Sequence, residues 1–178
     1  MSSSSKKILK WISDLLVILV VVLAFLLHGL KLFGLTPYSV LSGSMESVYP
    51  TGSLIYVKDV DPAKLEVGDV ITFQLAGGTV ATHRIIELVP DETDPDTFRF
   101  RTKGDENEVV DGALVEYGNV IGQPVFCVPL LGFLAVYIAQ PPGKIVAISV
   151  AIALVVIELM ISILIDDKEK EKHKEETQ

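Results

Sequence analysis

Two side chains far apart in this sequence have the types that acyl transfer by a hydroxyl nucleophile requires. Ser44 lies in Ser42-Gly43-Ser44-Met45, and His83 lies in Ala81-Thr82-His83-Arg84. A serine hydroxyl is a weak nucleophile at neutral pH and needs a base within hydrogen-bond reach. Imidazole is the side chain best suited to exchanging a proton there. Ser-Gly-Ser is by itself an ordinary loop, and a lone histidine on a strand is ordinarily a surface residue. His28 falls in an apolar run and His173 in a charged tail, so His83 is the one sensible base in the middle of the chain.

A histidine base works better when an acid fixes its tautomer and stabilises its charged form. Lys103-Gly104-Asp105-Glu106-Asn107, followed by Asp111-Gly112, supplies two such acids in one turn-rich stretch. Spacing alone does not choose between Asp105 and Asp111. The stretch lacks the ligand spacing of an EF-hand loop, so no metal is expected. Cys127, the sole cysteine, lies in Val125-Phe126-Cys127-Val128-Pro129. An apolar setting raises a thiol pKa, so this residue reads as packed structure rather than as a nucleophile. With one cysteine there is no intrachain disulfide or cysteine-based metal cluster.

These residues must be positioned by a β-rich domain. Residues 54–57, 70–75, 82–89, 97–102 and 120–128 alternate or carry β-branched and aromatic side chains. Turn chemistry separates them at 67–69, 76–78, 90–95 and 103–105. No amphipathic helical period, internal repeat or Gly-rich phosphate loop interrupts this pattern. Residues 36–141 hold 6 basic and 15 acidic side chains, within a chain of formal net charge -8. Such a surface excludes nucleic acid as a partner, because backbone binding needs clustered Lys and Arg.

Apolar runs flank the domain. Residues 15–30 carry no charged side chain, and the run extends to 35 if Lys31 snorkels. This is long enough to cross a bilayer, and with no small-x-small site after Leu30 it reads as an uncleaved anchor over 12–35. Residues 145–165 form a second span interrupted only by Glu158, which is expected to be protonated, to face a partner helix or to reach water near the cytoplasmic interface. Lys6, Lys7 and Lys10 put residues 1–11 in the cytoplasm, and two spans return the charged tail, 166–178, to the same side. Residues 36–141 then lie outside. Within them, 125–139 is apolar but short, with Pro129 and Gly132, and reads as a strand followed by apolar surface resting on the membrane.

Taken together, these segments resemble the type I signal peptidases. Ser42-Gly43-Ser44-Met45 is similar to the family's nucleophile box, Gly68-Asp69-Val70-Ile71-Thr72-Phe73 to its second box, and Lys103-Gly104-Asp105-Glu106-Asn107 to its late acidic box. His83, where the common bacterial subfamily has a catalytic lysine, resembles the subfamily of the endoplasmic reticulum, archaea and some Gram-positive bacteria. The resemblance implies a mainly β external catalytic domain flanked by an N-terminal and a C-terminal transmembrane helix, in the cell membrane or that of the endoplasmic reticulum. It implies Ser44 as nucleophile and His83 as base, with Asp111 preferred as the direct partner and Asp105 as support. The Ser44 N–H and Ser42 hydroxyl would bind the oxyanion. Neither metal nor organic cofactor is implied. The expected partners are precursor proteins bearing signal peptides, presented as extended strands, together with the lipid bilayer; the second span also brings membrane partner subunits into play. The competing readings are a self-cleaving Ser/Lys peptidase relative and a non-catalytic anchored β-domain.

Overall fold

The computed structural model describes residues 3–90 and 97–175, with side chains described over 8–90 and 97–163. Most of the turn expected at 90–95 therefore lies outside the described residues, as do the side chains of Lys6, Lys7 and the charged tail. The chain divides into two compact units, residues 28–136 and the two terminal segments, 1–27 with 137–178.

The terminal unit is built on α1 (Ser3–His28) and α3 (Pro141–Glu175). Two stretches, Ile8–Phe33 and Pro141–Ile163, are long and apolar enough to cross a bilayer. Most of their large side chains are exposed, as lipid-facing residues would be. Covered positions at helical spacing include Ser13, Val17 and Val20 on α1, and Gly143, Ala147, Ala151, Leu154, Glu158 and Ile161 on α3. Glu158 faces α1, where its carboxylate accepts a hydrogen bond from the Ser13 hydroxyl and lies 3.5 Å from Lys10 Nζ. Ser13 is buried there. Lys10 also pairs with Asp14 at 3.4 Å, one turn along its own helix.

In the other unit, α1 gives way to a 3-10 turn (Gly29–Phe33), capped by Gly34 in the left-handed conformation. Six strands follow: β1 (Leu35–Ser39), β2 (Leu54–Lys58), β3 (Val70–Gln74), β4 (Val80–Pro90), β5 (Phe98–Lys103) and β6 (Val120–Val128). They form one antiparallel sheet in the order β1-β2-β6-β3-β4-β5. The fold class expected from the sequence is the one observed, and five of the strands coincide closely with the expected segments. The sixth, β1, occupies residues that read as the end of the anchor and the start of a loop. It contains Pro37, which an edge strand tolerates because one side of its backbone needs no ladder partner.

The strand β6 joins the two wings of the sheet. Its start pairs with β3 and its remainder with β2. The switch occurs at Gly122, where a Cβ would lie 2.1 Å from the Lys58 carbonyl oxygen, so only glycine admits the crossing. On one wing Leu65, Ile71, Phe73, Ile85, Phe100 and Val115 form a core cluster. On the other, Leu54, Ile55, Tyr56 and Val57 are all buried, and the Tyr56 ring stacks on Phe126 at 4.5 Å. Each such fully buried large side chain is worth about 1.5–3 kcal/mol, which makes the sheet a rigid base for side chains at its rim. After β6 the chain turns at Leu130 and enters α2 (Leu131–Ala139), a helix too short to span a bilayer.

Candidate active site

Ser44 sits in the loop that leaves β1. That loop is tied at its neck by two backbone hydrogen bonds, Val40 N–H to the Ser53 carbonyl and Gly52 N–H to the Val40 carbonyl, both 2.9 Å. Met45, only 2 % exposed, plugs the loop into the domain. The Glu46 carboxylate accepts from the Thr51 hydroxyl at 2.6 Å and the Thr51 N–H at 2.9 Å, and these bonds hold its pKa below the usual carboxylate value. The backbone beyond Ser44 is thereby closed on itself.

His83 projects from β4 on the same side as Ile85, so its ring stands at the rim of the core, edge-on to Phe73 at 6.1 Å. Its Nε2 is 3.0 Å from Ser44 Oγ and its Nδ1 is 2.6 Å from Asp111 Oδ2. An ionised carboxylate can only accept, so Nδ1 carries the proton toward Asp111 and Nε2 is left to accept from the Ser44 hydroxyl. Three residues from separate parts of the chain thus form one hydrogen-bonded line, Ser44 to His83 to Asp111. Ser42 Oγ lies 3.3 Å from Ser44 Oγ, beside the same reacting position.

Asp111 is fixed from behind. Thr102 on β5 is fully buried, and its hydroxyl donates to Asp111 Oδ2 at 2.6 Å. The Asp111 N–H returns to the Thr102 carbonyl at 2.9 Å. Asp105 does not touch the imidazole. Its carboxylate is held by Arg84, through Nε at 2.9 Å and Nη2 at 2.6 Å, while Nη1 reaches the Gly68 carbonyl at 2.7 Å. These hydrogen bonds from Arg84 lower the Asp105 pKa, against a smaller opposing effect of burial.

The turn that carries Asp105 also braces Ser44. Glu106 N–H donates to the Ser44 carbonyl at 3.0 Å, and Asp105 N–H points at Met45 Sδ at 3.2 Å. Gly104 makes this approach possible: a Cβ there would lie 2.6 Å from the Ser44 carbonyl oxygen and 2.8 Å from the Ser44 Cβ. The sequence pattern marks Ser44, His83, Asp105 and Asp111 but gives no role to Thr102, Gly104 or Arg84. A guanidinium directly after the histidine is the one local hint of the Arg84 clamp.

Ser44 and His83 open on a cleft of about 380 Å3, whose walls include Tyr38, Ile55, Leu75 and Val80. Val80 to His83 pair with β3 on one side only, because β5 pairs with β4 from Arg84 onward. Among the described residues, the cleft therefore has an unpaired strand edge beside Ser44 and His83.

No protein-family model matches the chain. It is 48 % identical over 92 residues to signal peptidase I W of Bacillus subtilis (strain 168), covering 51 % of this chain and 47 % of that protein. It is 30 % identical over 111 residues to the signal peptidase complex catalytic subunit SEC11C of Homo sapiens, covering 58 % and 57 %. With the corresponding SEC11 subunit of Plasmodium falciparum (isolate 3D7) it shares 35 % identity over 112 residues, 58 % of each. The chain thus spans about half the length of the curated relatives it matches. Over the matched stretches the chain is similar to signal peptidase I W and to SEC11-type catalytic subunits.

Proposed function

We propose that this protein is a membrane-anchored serine endopeptidase that removes signal peptides from precursors, with Ser44 as nucleophile and His83 as general base. The observation that carries the reading is the hydrogen-bonded line from Ser44 through His83 to Asp111, at 3.0 and 2.6 Å, opening on a cleft with a free strand edge. The Ser44 oxygen attacks the scissile carbonyl carbon while its proton passes to His83 Nε2, and Asp111 stabilises the imidazolium. The negative oxygen of the tetrahedral intermediate is bound by the Ser44 N–H and the Ser42 hydroxyl. A preorganised donor of this kind is worth about 3 kcal/mol in other hydrolases. Collapse breaks the C–N bond, and the imidazolium gives its proton to the departing amine. Water, deprotonated by His83, then releases the acyl group and restores the serine.

Asp105 acts in this scheme through the backbone of the nucleophile's neighbours and makes no contact with the reacting atoms. The lysine-dependent alternative gains nothing from the geometry, since it is an imidazole that meets Ser44. Anchoring serves the chemistry: a precursor's signal segment already sits in the bilayer, so an enzyme whose nucleophile follows its own span meets the cut site at high effective concentration. In this reading the domain faces the non-cytoplasmic side and both chain ends face the cytoplasm.

The test is incubation of the purified protein, in detergent or liposomes, with a labelled precursor, followed by mass determination of the product ends. Wild type is expected to cut at one defined position after small side chains, and Ser44→Ala and His83→Ala to leave the precursor intact while remaining folded. Normal processing by Ser44→Ala would overturn the reading. Cleavage by the purified chain alone would also establish that no partner subunit is required.

A further inference from the structure

Among the polar side chains of the cleft that the mechanism above leaves unemployed, Asn107 stands beside the nucleophile. It lines the cleft together with Ser42, Ser44 and His83. The Asn107 N–H closes its own turn on the Gly104 carbonyl at 3.0 Å, so the backbone is satisfied locally. The carboxamide makes no hydrogen bond to any described residue. A half-buried amide facing a cleft without a protein partner has its two N–H donors available to whatever fills that cleft.

Its placement relative to the nucleophile is close and firmly set. The point where a Gly104 Cβ would lie is 2.8 Å from the Ser44 Cβ and 2.9 Å from Asn107 Nδ2. Only the absent atom of a glycine separates them. The turn bearing Asn107 is indexed to Ser44 itself, because Glu106 N–H binds the Ser44 carbonyl at 3.0 Å, and it is clamped from below by Arg84 on Asp105. The Asn107 carboxamide thus lies beside Ser44 across Gly104 and lines the same cleft.

We propose that Asn107 is a catalytic residue: its carboxamide N–H donates to the oxygen of the scissile carbonyl as that oxygen becomes negative, joining the Ser44 N–H and the Ser42 hydroxyl. No atom is transferred in this role; the donor keeps its proton and its contribution grows with the charge on oxygen. The inference rests on the peptidase reading, since without attack by Ser44 there is no oxyanion to bind.

The experiment compares full-length wild type, Ser44→Ala, Asn107→Leu and Asn107→Asp on one precursor peptide, with melting temperature measured for each. Cleavage by wild type and none by Ser44→Ala establishes the underlying reading; failure of that comparison sinks the reading itself and not merely this extension of it. Given that baseline, Asn107→Leu is expected to lower kcat about a hundredfold with KM little changed. Asn107→Asp, which keeps the shape but faces the oxyanion with a carboxylate, is expected to lose at least as much. Affinity for a peptide aldehyde, which forms a tetrahedral adduct on Ser44, should fall in parallel with kcat, whereas affinity for the cleaved product should not. An effect on KM alone, or an Asn107→Leu enzyme with wild-type kcat, would overturn the assignment. If Asn107→Leu melts early, the near-isosteric Asn107→Asp carries the same comparison.

Discussion

Arg84 holds both carboxylate oxygens of Asp105 while its remaining amino group binds the Gly68 carbonyl. The guanidinium thereby joins the loop entering β3 to the turn under Ser44, and it does so from the position next to His83 on β4. A bidentate Arg–carboxylate pair fixes orientation as well as distance, which lysine could not reproduce. The two acids of the turn-rich stretch thus have different tasks. Asp111 meets the imidazole, and Asp105 anchors the turn whose backbone braces Ser44.

Breaking this clamp should therefore affect catalysis through position and stability through pH. Arg84→Ala and Asp105→Asn are each expected to cost about 1 kcal/mol of stability at neutral pH, the range for a partly exposed pair. Each should lower kcat roughly tenfold to a hundredfold by loosening the Ser44 turn. Because the folded pKa of Asp105 is depressed, the clamp's stabilisation is complete above the unfolded pKa of about 3.9 and disappears as pH falls through the lower folded value. Denaturant melts of wild type from pH 6 down to pH 2 should show that loss, and the same series on Asp105→Asn should lack it.

Thr102 makes a separate prediction. Its hydroxyl and the His83 Nδ1 both donate to Asp111 Oδ2 at 2.6 Å, so the oxygen that meets the imidazole is held in place by a second donor. Thr102→Val keeps the shape of a fully buried residue and removes one hydrogen bond to a charged group, a loss of about 1.5–3 kcal/mol. The expected outcome is a fall in kcat of about tenfold with KM unchanged, and recovery in Thr102→Ser. Equal impairment of the serine and valine variants would point to packing rather than to the hydroxyl.

How much of this is written locally in the sequence differs from residue to residue. Strands β2 to β6 announce themselves because β-branched and aromatic side chains alternate there between turn residues. Strand β1 does not, since Pro37 and the adjoining apolar run imitate the end of a span, and only pairing with β2 makes it a strand. Ser44 and His83 stand out by chemical type. Asp105 and Asp111 cannot be told apart by spacing, because what separates them is the register of β5 on β4: Arg84 faces Lys103, which delivers Asp105 to the guanidinium and lets the chain loop back to Thr102 before Asp111. Glu158 shows the same limit. A lone acid in an apolar run has no sequence-level partner, and its partners here, Ser13 and Lys10, come from the far end of the chain.

Gly104 tests whether the brace under the nucleophile has tolerance. A methyl group at this position would meet both the carbonyl oxygen and the Cβ of Ser44 at distances that real contacts do not reach. Either the turn or the nucleophile must move. Gly104→Ala is expected to destabilise the domain by about 1–3 kcal/mol, as overpacking does. The cleavage rate should drop by more than that stability change alone accounts for, because the fraction still folded carries a displaced Ser44. Measuring both on the same preparation, cleavage rate against folded fraction, checks this; a rate that simply tracks the folded fraction would show that the turn absorbs the methyl group.

The pairing of the two apolar helices makes the last prediction. Ser13 and Glu158 are joined across the α1–α3 seam, and Lys10 adds a second, longer contact to the same carboxylate. In a lipid environment water does not compete for these groups, yet the separated helices can also satisfy them in other ways, so measured interhelical hydrogen bonds are worth about 0.6 kcal/mol on average and about 1.7 at most. A double-mutant cycle with Ser13→Ala and Glu158→Gln should therefore return a coupling of about 1 kcal/mol in a reversible unfolding assay in detergent micelles or bicelles. Glu158→Leu should weaken pairing despite its greater apolarity, because it leaves the buried Ser13 hydroxyl without its partner. Cysteines placed at Val17 and Leu154, in a Cys127→Ser background, should cross-link efficiently in the parent and less so with Glu158→Leu. Zero coupling in the cycle, with undiminished cross-linking in Glu158→Leu, would mean that the seam is held by its apolar residues alone.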